Sequence, residues 1–162
     1  LRSYYDTYKL KYSIVRFFNV YGEGQKHAFV IPKFIRSVCE NKSPVVYGDG
    51  EQVRSFCYVS DAAKGIVAAL FNENSVGEKY NIGNNLEPIN VRDLAEKVIH
   101  LSGKKGLSPK FIAMEDSDRS HKREVYNRIP SIEKAKNSLK YNPEVNLNEG
   151  LRKVIHQALQ EP

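Results

Sequence analysis

The order of apolar and polar positions predicts short strands alternating with amphipathic helices. Ile14, Val15, Phe17 and Phe18 form an apolar run, broken by Arg16, that reads as a strand over 12–18. It ends in Asn19, Tyr21 and two glycines, Gly22 and Gly24. A strand ending in an amide and a Gly-rich turn is a candidate ligand shelf, because open α/β sheets bind ligands beyond their carboxyl ends. Residues 31–40 have helical spacing, with Phe34, Ile35 and Val38 inward and Pro32 tolerated in the first turn. Val45–Tyr47 reads as a strand closed by Gly48-Asp49-Gly50, and Arg54–Val59 as a second, the pair flanking a phosphate-sized gap. Ser60 stands as N-cap to a helix over 61–71, with Ile66, Val67 and Leu70 inward.

Another short strand is expected at 79–83. Asn90 then caps a helix, with Asp93 three residues on, whose stripe is Val91, Leu94, Ala95, Val98 and Ile99 and whose end is Gly103. Residues 110–113 read as a strand and the polar stretch 115–128 as a loop. Ser131 is the expected cap of a helix carrying Ile132, Ala135 and Leu139, and a last helix uses Leu151, Val154, Ile155 and Leu159. At the other end, Leu1, Tyr4, Tyr5 and Tyr8 recur at helical spacing, as in the end of a helix that starts elsewhere. The class is α/β.

Composition narrows the function. At 162 residues the chain can bury a real core, and 41% hydrophobic with 27% charged residues is ordinary for a soluble protein. No apolar run approaches a membrane span, so no membrane partner is expected. Cys39 and Cys57 lack metal-ligand spacing and suit a reducing, cytoplasmic setting. The net charge of +6 is spread along the chain, which argues against nucleic acid and fits a small polyanion such as a nucleoside diphosphate.

Five ordered segments carry a resemblance: Arg16-Phe-Phe-Asn-Val-Tyr-Gly22, Val45-Val-Tyr-Gly-Asp-Gly-Glu-Gln-Val-Arg54, Phe56-Cys-Tyr-Val-Ser-Asp61, Tyr80-Asn-Ile-Gly83 and Pro130-Ser-Ile-Glu-Lys-Ala-Lys136. Together they resemble the C-terminal half of the NAD-dependent epimerase/dehydratase family, the extended short-chain dehydrogenases acting on nucleotide sugars. The resemblance implies the C-terminal portion of a Rossmann-like fold: the small substrate-binding domain plus strands of the parent sheet. It implies a UDP-sugar or related nucleotide sugar as ligand. NAD would be held mainly by an N-terminal half that this chain lacks, and the full-length protein would be a homodimer.

Residue by residue, the resemblance implies that the Phe18 backbone lies near the nicotinamide and that Asn19 meets the diphosphate. The Val30 backbone would flank the nucleotide, and the Val46–Tyr47 backbone would read the base edge. Arg54 would grip the pyrophosphate, for which a planar fork suits better than an ammonium. Glu124 aligns with a ribose-binding acid. Where the family shows Arg-x-Gly-Asp, this chain has His121-Lys-Arg123-Glu124, leaving open whether Arg119, Arg123 or Arg128 is the second phosphate arginine. Bland readings stand beside these: Asn19 as a turn residue, Tyr47 as half-buried core, Arg54 paired with Asp49 or Glu51. Asp61 reads as a helix-start residue, and the four histidines show no catalytic or metal arrangement.

Tyr5-Asp-Thr-Tyr-Lys9 spells the family's catalytic Tyr-x-x-x-Lys, but it stands far too close to Asn19 for the family's register. The catalytic residues are therefore expected before Leu1. No Gly-x-x-Gly-x-x-Gly follows a strand. The reading is the UDP-sugar-binding half of an epimerase most like UDP-glucose 4-epimerase, Asn19-Val-Tyr-Gly22 favouring an epimerase over a dehydratase; alternatives stand beside it. Those are half of a dTDP-glucose 4,6-dehydratase or UDP-glucuronate decarboxylase, or a non-catalytic nucleotide-sugar-binding scaffold.

Overall fold

A computed structural model describes residues 1–26, 28–113 and 125–160. Elements are numbered in chain order. After helix α1 (Arg2–Tyr8), the first apolar run forms β1 (Ile14–Phe17), which lies parallel to β6 (Lys79–Ile82). The Phe18 amide donates to the Ile82 carbonyl at 3.0 Å, extending that ladder by one bond. Asn19, at φ 43°, then turns the backbone through the left-handed region, where Asn is among the tolerated residues. The chain emerges as β2 (Val20–Tyr21), parallel to β5 (Cys57–Tyr58).

Next come α2 (Val30–Cys39), β3 (Val45–Tyr47) and β4 (Val53–Arg54). β3 runs parallel to β8 (Lys110–Ile112). β4 lies between antiparallel β7 (Ile89–Asn90) and parallel β9 (Asn127–Arg128). The remaining helices are α3 (Val59–Phe71), α4 (Val91–Ser102), α5 (Glu133–Leu139) and α6 (Leu147–Gln160). None of the described helices is long and apolar enough to cross a membrane.

Two cores result. The larger joins α2, α4 and α6 through Phe34, Ile35, Val38, Leu94, Val98, Leu151 and Ile155. Helix α6 lies so close to β2 that a Cβ on Gly150 would stand 2.0 Å from the Tyr21 hydroxyl, so no larger residue fits there unchanged. The smaller core packs α3 and α5 on β6 through Ala62, Ala69, Tyr80, Ile82, Ala135 and Leu139. Gly65 lets α3 approach the sheet, since a Cβ there would meet the Ile82 side chain at 2.8 Å.

Several expectations need correcting. The single strand over 54–59 is two strands in different sheets, because the backbone crosses from the β4 ladder to the β5 ladder at Ser55–Phe56. Helix α3 starts at Val59, ahead of Ser60, with no side-chain cap; α5 likewise starts after Ile132, and Ser131 does not cap it. Ile66, Val67 and Leu70 face outward, at 43%, 53% and 70% exposure. The inward face of α3 is small and polar (Asp61, Ala62, Gly65, Ala69), which permits its close approach to β6. Leu159 is also half exposed, and the end of the 115–128 loop is strand β9. By contrast, the Asn90 side chain accepts from the Asp93 amide at 2.7 Å, and Gly103 ends α4 in the left-handed conformation, as expected.

Candidate functional site

A cleft of about 380 Å³ opens where β2, β3 and β4 meet the N-terminal turn of α2. Asn19, Val30, Tyr47 and Arg54, widely separated in sequence, all line it. The sharp turn at Asn19 brings its amide there, and Nδ2 donates to the Ser55 carbonyl at 2.8 Å, fixing the plane of the side chain. Its left-handed backbone makes it a turn residue as well. Tyr47 ends β3, half-buried. Val46, the middle residue of β3, is only 1% exposed, sends its side chain into the larger core and does not line the cleft, whereas its neighbours Val45 and Tyr47 do. Phe18 does not line the cleft; it sits at the C-terminal end of β1, on the far side of Asn19. Arg123 and Glu124 lie outside the described residues.

Pattern reasoning missed several lining residues. Gln52 shares a strand face with Arg54, two residues on, so period-2 alternation was the signal for it. Lys33 follows Val30 by three on α2 and so shares its face. Arg128, one of the three arginines left open for a phosphate, was not missed, but its place was: it lines the cleft directly opposite Arg54 in the parallel β4–β9 ladder. No periodicity could have shown that pairing.

Lys33, Arg54 and Arg128 are all cationic, and no carboxylate is among the described residues lining the cleft. Two cations directly opposite on neighbouring strands suit an anion between them. Nη1 of Arg54 donates to the Val53 carbonyl at 2.8 Å and to the Tyr126 carbonyl at 3.0 Å, which orients the guanidinium. Of its suggested surface partners, Glu51 pairs with Arg92 at 2.8 Å, and Asp49 accepts from the Tyr126 hydroxyl at 2.8 Å.

Tyr58 and Tyr21 hold their protons more tightly than a free phenol. Burial first, then the Glu23 carboxylate to which it donates at 2.5 Å, pushes the Tyr58 hydroxyl up to about 12. Burial raises Tyr21 likewise. Tyr5 and Lys9 belong to exposed α1; the Lys9 amide closes the helix on the Tyr5 carbonyl, and neither lines the cleft. Asp61 is fully buried at the start of α3, where Oδ2 accepts the amides of Glu144 and Val145 at 3.0 and 2.9 Å. Its role is to pin the approach to α6, in keeping with a structural rather than catalytic residue. Among the described residues no His, Cys, Asp and Glu cluster could hold a metal.

Residues 1–83 match the model of the NAD dependent epimerase/dehydratase family. A UDP-glucuronate 4-epimerase of Thermodesulfobacterium geofontis is 34% identical over 95% of the chain. The chain belongs to this family. A dTDP-D-glucose 4,6-dehydratase of Mus musculus is also 34% identical, over 96% of the chain. The crystal structure of the UDP-glucuronic acid 4-epimerase of Bacillus cereus, in complex with UDP-glucuronic acid and NAD, superposes with a TM-score of 0.85 at 31% identity over 98% of the chain. The chain spans about half the length of these proteins: 45%, 43% and 48% of each in turn. Family membership makes the α/β architecture that of an extended short-chain dehydrogenase, and makes the parent family enzymatic and NAD-dependent.

A Cβ on Gly22 would stand 2.5 Å from Val59 and one on Gly50 2.8 Å from Val46, so these glycines serve packing, and nothing lies within 4 Å of Gly24. None forms the glycine-rich turn between strand and helix that cradles a pyrophosphate.

Proposed function

We propose that the chain is the nucleotide-sugar-binding half of an NAD-dependent nucleotide-sugar epimerase, and that a UDP-sugar is its ligand. The observation that carries this reading is the convergence of Asn19, Val30, Tyr47 and Arg54 on one cationic cleft. At about 380 Å³ the cleft lies in the range of roughly 300–1,000 Å³ usual for small-molecule sites. The Arg54 fork takes the diphosphate and Arg128, opposite it, is the second cation. The Asn19 amide reaches the same anion, and the main chain at Val30 and at Val46–Tyr47 borders the nucleoside.

In this reading the cleft orients the sugar and takes no part in bond making. NAD would supply the hydride chemistry, and Phe18, just past β1, is the residue of this chain that would border it. On this reading the chain binds its ligand without turning it over.

Calorimetry with UDP, dTDP, GDP and uridine tests the proposal. UDP binding is expected, with Arg54→Ala lowering its affinity roughly tenfold or more, in line with the loss of a charged hydrogen bond. Uridine affinity should not change. Absence of heat with every nucleotide, or an Arg54→Ala variant that binds UDP as wild type does, contradicts it.

A further inference from the structure

Strand β9 forms one wall of the cleft, yet it pairs with β4 over only Asn127 and Arg128. So short a pairing is marginal by itself. Just ahead of it, Tyr126 makes contacts in two directions. Its carbonyl accepts the Val53 amide at 2.8 Å and the Arg54 guanidinium at 3.0 Å, while its hydroxyl donates to Asp49 Oδ2 at 2.8 Å.

The anchor at Asp49 is firm. Asp49 Oδ1 accepts the Glu51 amide at 2.9 Å, and Arg92 of α4 donates to the Asp49 carbonyl at 2.9 Å. Arg92 also pairs with Glu51 and lies over the Phe111 ring, 5.6 Å from its centroid. Those contacts, the Glu51 amide first and the Tyr126 hydroxyl next, hold the Asp49 carboxyl below its ordinary range, so it is an ionised acceptor at neutral pH. The turn after β3 is thereby fastened to α4. Val125 and Arg128, on either side of the latched pair Tyr126–Asn127, both line the cleft.

We propose that Tyr126 is a positioning residue: its hydroxyl, latched on Asp49, holds β9 against β4 and so sets where the Arg54 and Arg128 guanidinium groups stand. The residue touches no ligand. Its effect is on the anion-binding part of the cleft and leaves the nucleoside part alone. The ligand used below rests on the function proposed above, whereas the latch does not.

Two measurements on the whole chain separate the two ideas. Hydrogen exchange at the Val53 amide reads the latch directly, without ligand. Tyr126→Phe, which keeps the ring and loses the hydroxyl, should speed that exchange roughly three- to tenfold. Asp49→Ala should do the same, and the double variant should go no further than Asp49→Ala alone. Calorimetry then compares UDP with uridine: Tyr126→Phe should weaken UDP roughly three- to tenfold and leave uridine unchanged. Circular dichroism identical to wild type confirms that the fold is kept. Unchanged Val53 exchange in Tyr126→Phe, or additive effects in the double variant, overturns the latch. Faster exchange in a chain that binds no UDP supports the latch and removes the nucleotide reading.

Discussion

The α2–α4–α6 core and the layer of α1, β1 and α3 are built from similar amphipathic sequence and end up in opposite states. Val38, Leu94, Val98 and Leu151 are fully buried in the first. In the second, Tyr4, Tyr8, Phe17, Leu70 and Phe71 are at least half exposed, Phe71 reaching 79%. β1 has a strand partner on one side only among the described residues. Parallel sheets are normally covered on both faces, so the open layer is unlike a finished surface. The difference teaches that periodicity marks a face as apolar without saying what covers it. The closed region carries the cleft; the open one carries an apolar groove lined by Tyr12, Val15, Ile66, Leu70 and Phe71.

The largest expected effect lies in the closed region. Leu151→Ala should cost roughly 2–5 kcal/mol in a denaturant titration, through lost transfer energy and a cavity. Leu70→Ala, on the open face, should stay within about 0.5 kcal/mol. Equal losses would erase the distinction.

Asp61→Ala probes the tie between the regions. It strands two part-buried amides and should cost about 1–3 kcal/mol, read as a fall in melting temperature. Asp61→Asn keeps one acceptor and should cost less. If both variants melt like wild type, the carboxylate is not the pin that its geometry suggests.

An intermediate effect concerns assembly. Exposed apolar surface and an open strand edge favour self-association. Sedimentation velocity should show concentration-dependent species for the wild type, reduced when Leu70 and Phe71 are both changed to Ser. A clean wild-type monomer at high concentration goes against this.

The smallest effect is expected at Glu40, where hydrogen bonds from Lys42 first and Arg36 next hold the carboxyl at about 2. A lowered pKa stabilises the fold above the unfolded value near 4.5 and ceases to do so as the pH falls toward 2. The group is exposed and screened by solvent, so Glu40→Gln should leave the melting temperature at pH 7 almost unchanged.

Much of this was legible from the residues. The ordered motifs led to the family, the helix stripes of α2 and α4 were read correctly, and Asn19 and Arg54, singled out from the motifs, both line one cleft. What was not legible had physical causes. The outward turn of Ile66, Val67 and Leu70 follows from the small inner face of α3, which carries no strong hydrophobic signal of its own. The Arg54–Arg128 opposition and the Tyr126 latch depend on register between segments more than 70 residues apart, Tyr126 and Arg54 being separated by 72. The break of 54–59 into two strands depends on which ladder each half joins, and local propensity does not encode that.

The central claim is that ligand recognition belongs to the closed region alone, at the cationic cleft. A two-dimensional NMR titration of the labelled chain with UDP tests it most directly. The account predicts shifts at Asn19, Val30, Tyr47, Arg54 and Arg128, with the α1 and α3 signals unmoved. Shifts centred on Ile66, Leu70 and Phe71, or none anywhere at saturating UDP, would contradict it.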